Sequence, residues 1–152
     1  MQLFTGARVS EVAGITWLAL NFDECSVEIK QNYMTIKKFE YDEETHTITS
    51  LGRSREITDL KSKSSYRTLG LPKEYMEVLK LHKYLQMETA KKNHKQFRDS
   101  DFIFTTSTYT PVGRNDINDK VKKVVKDLNI ENWDEITSHC LRHRILLSCS
   151  KK

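Results

Sequence analysis

Near the end of the chain, Thr137-Ser138-His139-Cys140-Leu141-Arg142-His143-Arg144 sets imidazole and guanidinium groups at a spacing that can do chemistry. If the segment is helical, a period of about 3.6 residues stacks His139, Arg142 and His143 on one face and turns Leu141 and Ile145 away from it. A planar fork of N–H donors flanked by imidazoles suits an oxyanion whose charge grows during a reaction, above all a phosphate. A second candidate is Arg8 in Thr5-Gly6-Ala7-Arg8-Val9-Ser10-Glu11. Val9, Val12, Ala13 and Trp17 recur at helical spacing, so a short helix buries that side and leaves Arg8 at its mouth. Glu11 either holds the Arg8 guanidinium or caps the helix. Taken singly, each arginine has an ordinary alternative, a surface salt bridge on an amphipathic helix.

His139 and His143, four residues apart with Cys140 and Cys149 nearby, also raise the question of zinc. Electrostatics oppose it. Arg142 shares their face, and no Asp or Glu stands within the turn to complete a ligand shell. The residues therefore point to no metal and no other cofactor.

The elements that must position these groups belong to a chain of 152 residues, the size of one domain, whose 38% hydrophobic and 30% charged content makes for a lean core. No run of about 18 apolar residues suggests a membrane span, and no basic-then-apolar signal opens the chain. A soluble, cytoplasmic protein is expected. Cys25, Cys140 and Cys149 are an odd set of three in a chain too long to need staples, which fits free thiols in a reducing compartment. A net charge of +4 is compatible with a polyanionic partner without requiring one.

Met1-Gln2-Leu3-Phe4 reads as the last turn of a helix stopped by Gly6. Strand candidates follow at Ser26-Val27-Glu28-Ile29, Met34-Thr35-Ile36, Thr45 to Thr49 and Arg55 to Thr58, which predicts a small antiparallel sheet. Between Glu40 and Arg55 the acidic Asp42-Glu43-Glu44 points to an exposed hairpin that does not face a polyanion. Lys61-Ser62-Lys63-Ser64-Ser65 lies between two strands, where a lysine at a loop tip can reach into a bound groove. Two solvated lysines in a polar turn are the plain alternative. Pro72 opens a helix over Lys73 to Lys95 with Tyr75, Val78, Leu79 and Leu85 inward. Phe102-Ile103-Phe104 is a short buried run, and Thr105 to Arg114 a polar loop. From Asn115, a candidate N-cap, Ile117, Val121, Val124, Val125 and Leu128 define an amphipathic helix whose lysines are either solvated or in contact with phosphates.

Taken together, Thr5-Gly6-Ala7-Arg8-Val9-Ser10-Glu11, then Lys61-Ser62-Lys63-Ser64-Ser65-Tyr66-Arg67-Thr68-Leu69 with Leu71-Pro72, then His139-Cys140-Leu141-Arg142-His143 resemble the catalytic domain of the tyrosine recombinases. Phage and transposon integrases are the nearest type. The resemblance covers nearly the whole chain and implies an α+β fold, mostly helical, with a small antiparallel sheet. It implies double-stranded DNA as partner, other recombinase protomers beside it on that DNA, and strand cleavage and rejoining through a 3′-phosphotyrosyl intermediate. Arg8 and Arg142 would clamp the non-bridging oxygens and His139 would assist them, with Glu11 and His143 in support. Lys63, with Lys61 as fallback, would protonate the leaving oxygen, and Lys61 and Arg67 would contact DNA. Gly70 departs from a proline common in relatives, and Arg144 from the small polar residue that often follows the last motif.

The family's helices before the first motif, its separate DNA-binding domain and its nucleophilic tyrosine after the last one have no counterpart in residues 1–152. A partial catalytic domain, clipped at both ends, is expected. Tyr33, Tyr41, Tyr66, Tyr75, Tyr84 and Tyr109 all lie upstream of the nucleophile's place. A tyrosine would have to be donated in trans; otherwise the chain is a non-catalytic DNA-binding remnant of a truncated integrase gene.

Overall fold

The computed structural model describes residues 1–60 and 65–142. Lys61, Lys63 and His143 lie outside the described residues, as do Ile145 and Cys149. The described elements are helices α1 (Gln2–Thr5) and α2 (Val9–Ala13), a 3-10 turn at Trp17–Ala19, strands β1 (Leu20–Asn21), β2 (Ser26–Ile29), β3 (Gln31–Asp42), β4 (Thr47–Asp59) and β5 (Arg67–Gly70), and helices α3 (Lys73–Lys92) and α4 (Arg114–Asp127). Residues 138–142 are again helical. The α+β mixture agrees with the expectation from sequence.

Gly6 ends α1 as anticipated, in the left-handed conformation at φ 59°, which a glycine adopts without a Cβ clash. Helix α2 runs straight on, and Gly14 closes it against the start of β3. There a Cβ would meet the Tyr33 nitrogen at 3.0 Å and the Asn32 carbonyl carbon at 3.1 Å. Only a residue without a side chain permits that approach. Gln31 Nε2 donates to the Gly14 carbonyl at 2.7 Å and Ser10 Oγ to Asn32 Oδ1 at 3.2 Å, so α2 is stitched to β3 along its length.

The single small sheet expected from sequence is in fact two. Strands β1, β2 and β5 form an antiparallel sheet in that order, with Ile29 opposite Arg67 and Ser26 opposite Gly70. Val27 and Ile29 point into the core at 0% and 1% exposure, which pins β5 to the body through β2. Strands β3 and β4 form a separate two-stranded ribbon, paired from Gln31 with Asp59 to Asp42 with Thr47 and shifted by a bulge beside Lys38 and Phe39. The four candidate strand segments assigned to one sheet thus divide: Ser26–Ile29 joins the three-stranded sheet and the other three fall in the ribbon. Beyond Tyr33 the ribbon is largely solvated, as expected of an exposed hairpin: Phe39, Tyr41, Ile48 and Leu51 all lie open. Its turn is held by Asp42 Oδ1, which accepts from the Glu44 and Thr45 amides at 2.9 and 3.2 Å.

The core joins Ala7, Val12, Ile15, Trp17, Val27, Ile29, Leu60, Leu71, Met76, Leu79 and Ile103. Helix α3 begins after Pro72 as predicted, but its inward stripe is Met76, Leu79, Gln86 and Ala90. Val78 and Leu85, expected inside, are 57% and 55% exposed. The reason is polar. Gln86 Oε1 accepts the Trp17 indole N–H at 2.8 Å, while Gln86 Nε2 donates to the Phe102 carbonyl at 2.8 Å and Thr105 Oγ1 at 3.0 Å. Buried donors and acceptors must be paired, and that requirement rotates the helix relative to a hydrophobicity count.

Helix α4 starts two residues earlier than expected, with Gly113 and not Asn115 at the N-cap; the Asp116 carboxylate accepts the Gly113 N–H at 2.6 Å. Its buried position is Val125, while Val124 and Leu128 are 56% and 66% exposed. Among the described residues α4 packs its inner side on α2, too narrow a contact to cover the whole apolar arc.

Candidate phosphate-binding site

Helix α2 has five residues, too few to hold its shape by propensity alone. What orients it is Glu11 at its third position. The Glu11 carboxylate reaches back to accept the Arg8 backbone N–H at 2.7 Å and the Arg8 guanidinium, Nη1 to Oε1, at 3.0 Å. From strand β5, Arg67 Nη2 donates to Glu11 Oε2 at 2.7 Å. Glu11 therefore does both things the sequence left open: it caps α2 and it holds Arg8.

The Glu11 side chain is 0% exposed, that of Arg67 30% and that of Arg8 61%. Burial by itself would push the Glu11 carboxyl up. The hydrogen bond from Arg67, then those from the Arg8 backbone and guanidinium, outweigh burial and hold it below the usual carboxylate range. One anion inside two cations leaves a net positive centre whose open side is the Arg8 fork.

The second arginine segment is anchored on α4. Ser138, 2% exposed, donates its backbone N–H to Asn118 Oδ1 of α4 at 3.2 Å, which docks the first turn of helix 138–142 on α4. Helix α4 packs in turn on α2, so it is the element that both arginine-bearing segments share. His139 is exposed and Arg142 half-buried on that helix. The Arg142 Nη1 atom is buried, with no hydrogen-bond partner among the described residues. A buried guanidinium nitrogen left without an acceptor is costly, on the order of 1–3 kcal/mol, and is the kind of group that an incoming anion satisfies.

Of the residues singled out by sequence, Arg8, Glu11 and Arg67 thus form one cluster, while among the described residues no hydrogen bond or ion pair links Arg142 or His139 to it. Arg67, expected at DNA, has both terminal nitrogens engaged inward, since Nη1 donates to the Ser65 carbonyl at 3.1 Å. The Glu11–Arg67 pair was not anticipated. The only available hint was the alternation of β5, which places Arg67 opposite Ile29 on a buried rung. At the base of the ribbon Arg55 lies against the start of α4, 3.8 Å from Asp116 and hydrogen-bonded at 3.4 Å to the Pro111 carbonyl.

The fold is that of a known class. The model of the phage integrase family matches residues 1–148. The chain belongs to that family, the tyrosine recombinases, and its fold is that of their catalytic domain. Among solved structures it is similar to the Tn1549 transposon integrase in complex with a circular intermediate DNA, at 19% identity and a TM-score of 0.63 over 93% of this chain and 41% of that one. The same integrase in complex with transposon right end DNA aligns with 99% of this chain and 45% of that one, at 18% identity and a TM-score of 0.63. XerA recombinase is similar at 16% identity and a TM-score of 0.60, over 94% of this chain and 39% of that one. The chain therefore spans about two fifths of the length of these structures. No curated protein sequence matches it.

Proposed function

We propose that this chain carries the phosphate-activating part of a site-specific DNA recombinase. In this reading Arg8 and Arg142 bind the two non-bridging oxygens of one DNA phosphodiester, and His139 assists them by hydrogen bond or proton relay. A tyrosine oxygen from outside these 152 residues attacks phosphorus, the bond to the 5′ oxygen breaks, and a 3′-phosphotyrosyl link forms. Lys63 gives its proton to the departing 5′ oxygen, a poor leaving group near neutral pH; Lys61 is the alternative donor, and His143 supports the clamp. The reverse sequence rejoins the strand. Positioned general acids contribute about 10²–10⁴-fold, and loss of a preorganised donor set costs about 10²–10³ in rate.

The observation that carries the reading is the buried Nη1 of Arg142, without a hydrogen-bond partner among the described residues, on a helix docked on α4, which packs on the helix that Arg8 opens. Membership of the integrase family supports it, as does the occurrence of the similar Tn1549 integrase structures as complexes with DNA. Double-stranded DNA is the proposed substrate, with other recombinase protomers on the same DNA supplying the tyrosine.

A covalent trap tests this. The chain is incubated with duplex carrying a bridging phosphorothiolate, with and without an intact relative whose own Arg8 counterpart is disabled, and adducts are read on a denaturing gel. An adduct that appears only in the mixture and disappears with Arg8→Gln is expected. No adduct in any mixture, with duplex binding intact, would leave the chain a non-catalytic DNA-binding remnant and sink the catalytic reading.

A further inference from the structure

We infer that Arg67 is a positioning residue: through the buried Glu11 carboxylate it fixes the Arg8 guanidinium, while its other terminal nitrogen is anchored on the Ser65 carbonyl. This rests on the reading of Arg8 as a clamp, and adds the side chain that sets it.

The geometry is asymmetric in a telling way. Arg8 and Arg67 share one carboxylate, yet Arg8 keeps 61% of its side chain in solvent while Arg67 keeps 30%. Arg67 donates from Nη2 to Glu11 at 2.7 Å and from Nη1 to Ser65 at 3.1 Å, so its fork is closed over protein atoms. Its backbone belongs to β5, fixed in register against β2, whose Val27 and Ile29 are core residues. Helix α2, by contrast, has only five residues. The rigid element therefore reaches across to the short one. The hydrogen bond to the Ser65 carbonyl holds the second nitrogen, so the Arg67 fork cannot swing away from Glu11 without losing both partners. A guanidinium does this better than an ammonium, because its two nitrogens address two acceptors in one plane.

The alternative, a phosphate contact by Arg67, is separable by experiment on the 152-residue chain. Arg67→Gln, Arg67→Lys and Arg8→Gln are compared by the ¹⁵Nε–H resonance of Arg8 in the free protein and by affinity for a short duplex as a function of salt. Arg67→Gln should move the Arg8 resonance and weaken duplex binding about tenfold, the worth of one charged hydrogen bond, with the slope of log affinity against log salt unchanged. Arg67→Lys should restore part of both. Arg8→Gln should lower the slope by about one, as loss of a phosphate contact does. An Arg8 resonance unmoved by Arg67→Gln, or a slope lowered by about one in that variant, overturns the inference. If Arg67→Gln does not fold, the resonance in Arg67→Lys decides: a shift supports the coupling and no shift ends it. If the wild-type chain binds no duplex, the recombinase reading fails, while the resonance still decides the role of Arg67.

Discussion

Glu11 with Arg67 at the candidate site and Glu56 with Lys38 on the ribbon meet at the same 2.7 Å. Distance makes them look equivalent, and both carboxyls are held below the usual carboxylate range. Their surroundings make them opposites. Glu11 is fully buried and accepts three hydrogen bonds, so removal of its charge strands two guanidiniums. On the ribbon Glu56 and Lys38 are 39% and 53% exposed, and water replaces either partner readily. Burial, not contact length, decides which ion pair organises the fold.

The largest effect should come from breaking the buried member. Glu11→Gln is expected to lower unfolding stability by about 3 kcal/mol or more, read from urea midpoints, because a buried pair that loses one partner leaves uncompensated charge. A midpoint shift under half of that would mean that water reaches the cluster. The same carboxylate predicts an acid limb. Since its folded value lies below the ordinary 4.5, its contribution is full above about pH 4.5 and is lost as pH falls through the depressed folded value. Thermal midpoints measured down that range should fall more steeply in the wild type than in Glu11→Gln.

Next in size is the seam between the two regions. Gly14→Ala places a methyl 3.0 Å from the Tyr33 nitrogen, and backbone must move to admit it. A loss of about 1–3 kcal/mol is expected, together with a changed Arg8 resonance, since α2 is the element displaced. Unchanged stability would show that helix and ribbon are not locked together.

Smaller still is the distal ribbon. Replacing residues 39–51 by Asn-Gly, which joins Lys38 to its register partner Gly52 through a two-residue turn, should leave stability within about 1 kcal/mol, because loop-closure entropy changes slowly with length. Cooperative unfolding lost in that variant would make the ribbon part of the core. Smallest of all, Glu56→Gln should leave the urea midpoint where it was; a measurable shift would erase the contrast with Glu11.

Much of this was legible in the residues, and the failures share a cause. Local signals behaved: Gly6 stops α1, Pro72 precedes α3, and Ser26–Ile29 is a strand with the bounds its β-branched pattern predicts. Arg8 sits at the mouth of α2 as the spacing required. The inward faces of α3 and α4 were misread where pairing outranked hydrophobicity, as at Gln86, or where a helix met a narrow neighbour, as at Val124 and Leu128.

The sequence by itself determined which cationic and imidazole groups the chain carries, and the family to which their order belongs. A motif lists donors along a line, and local propensity fixes which turn or strand carries each. Tertiary structure alone decided that Arg67 faces Glu11, that Glu11 is wholly buried, and that α4 is the common floor for α2 and helix 138–142. The pairing spans residues 11 and 67, a separation over which sequence patterns carry no information. Only packing the short helix against the sheet makes one carboxylate the nearest partner of two distant cations.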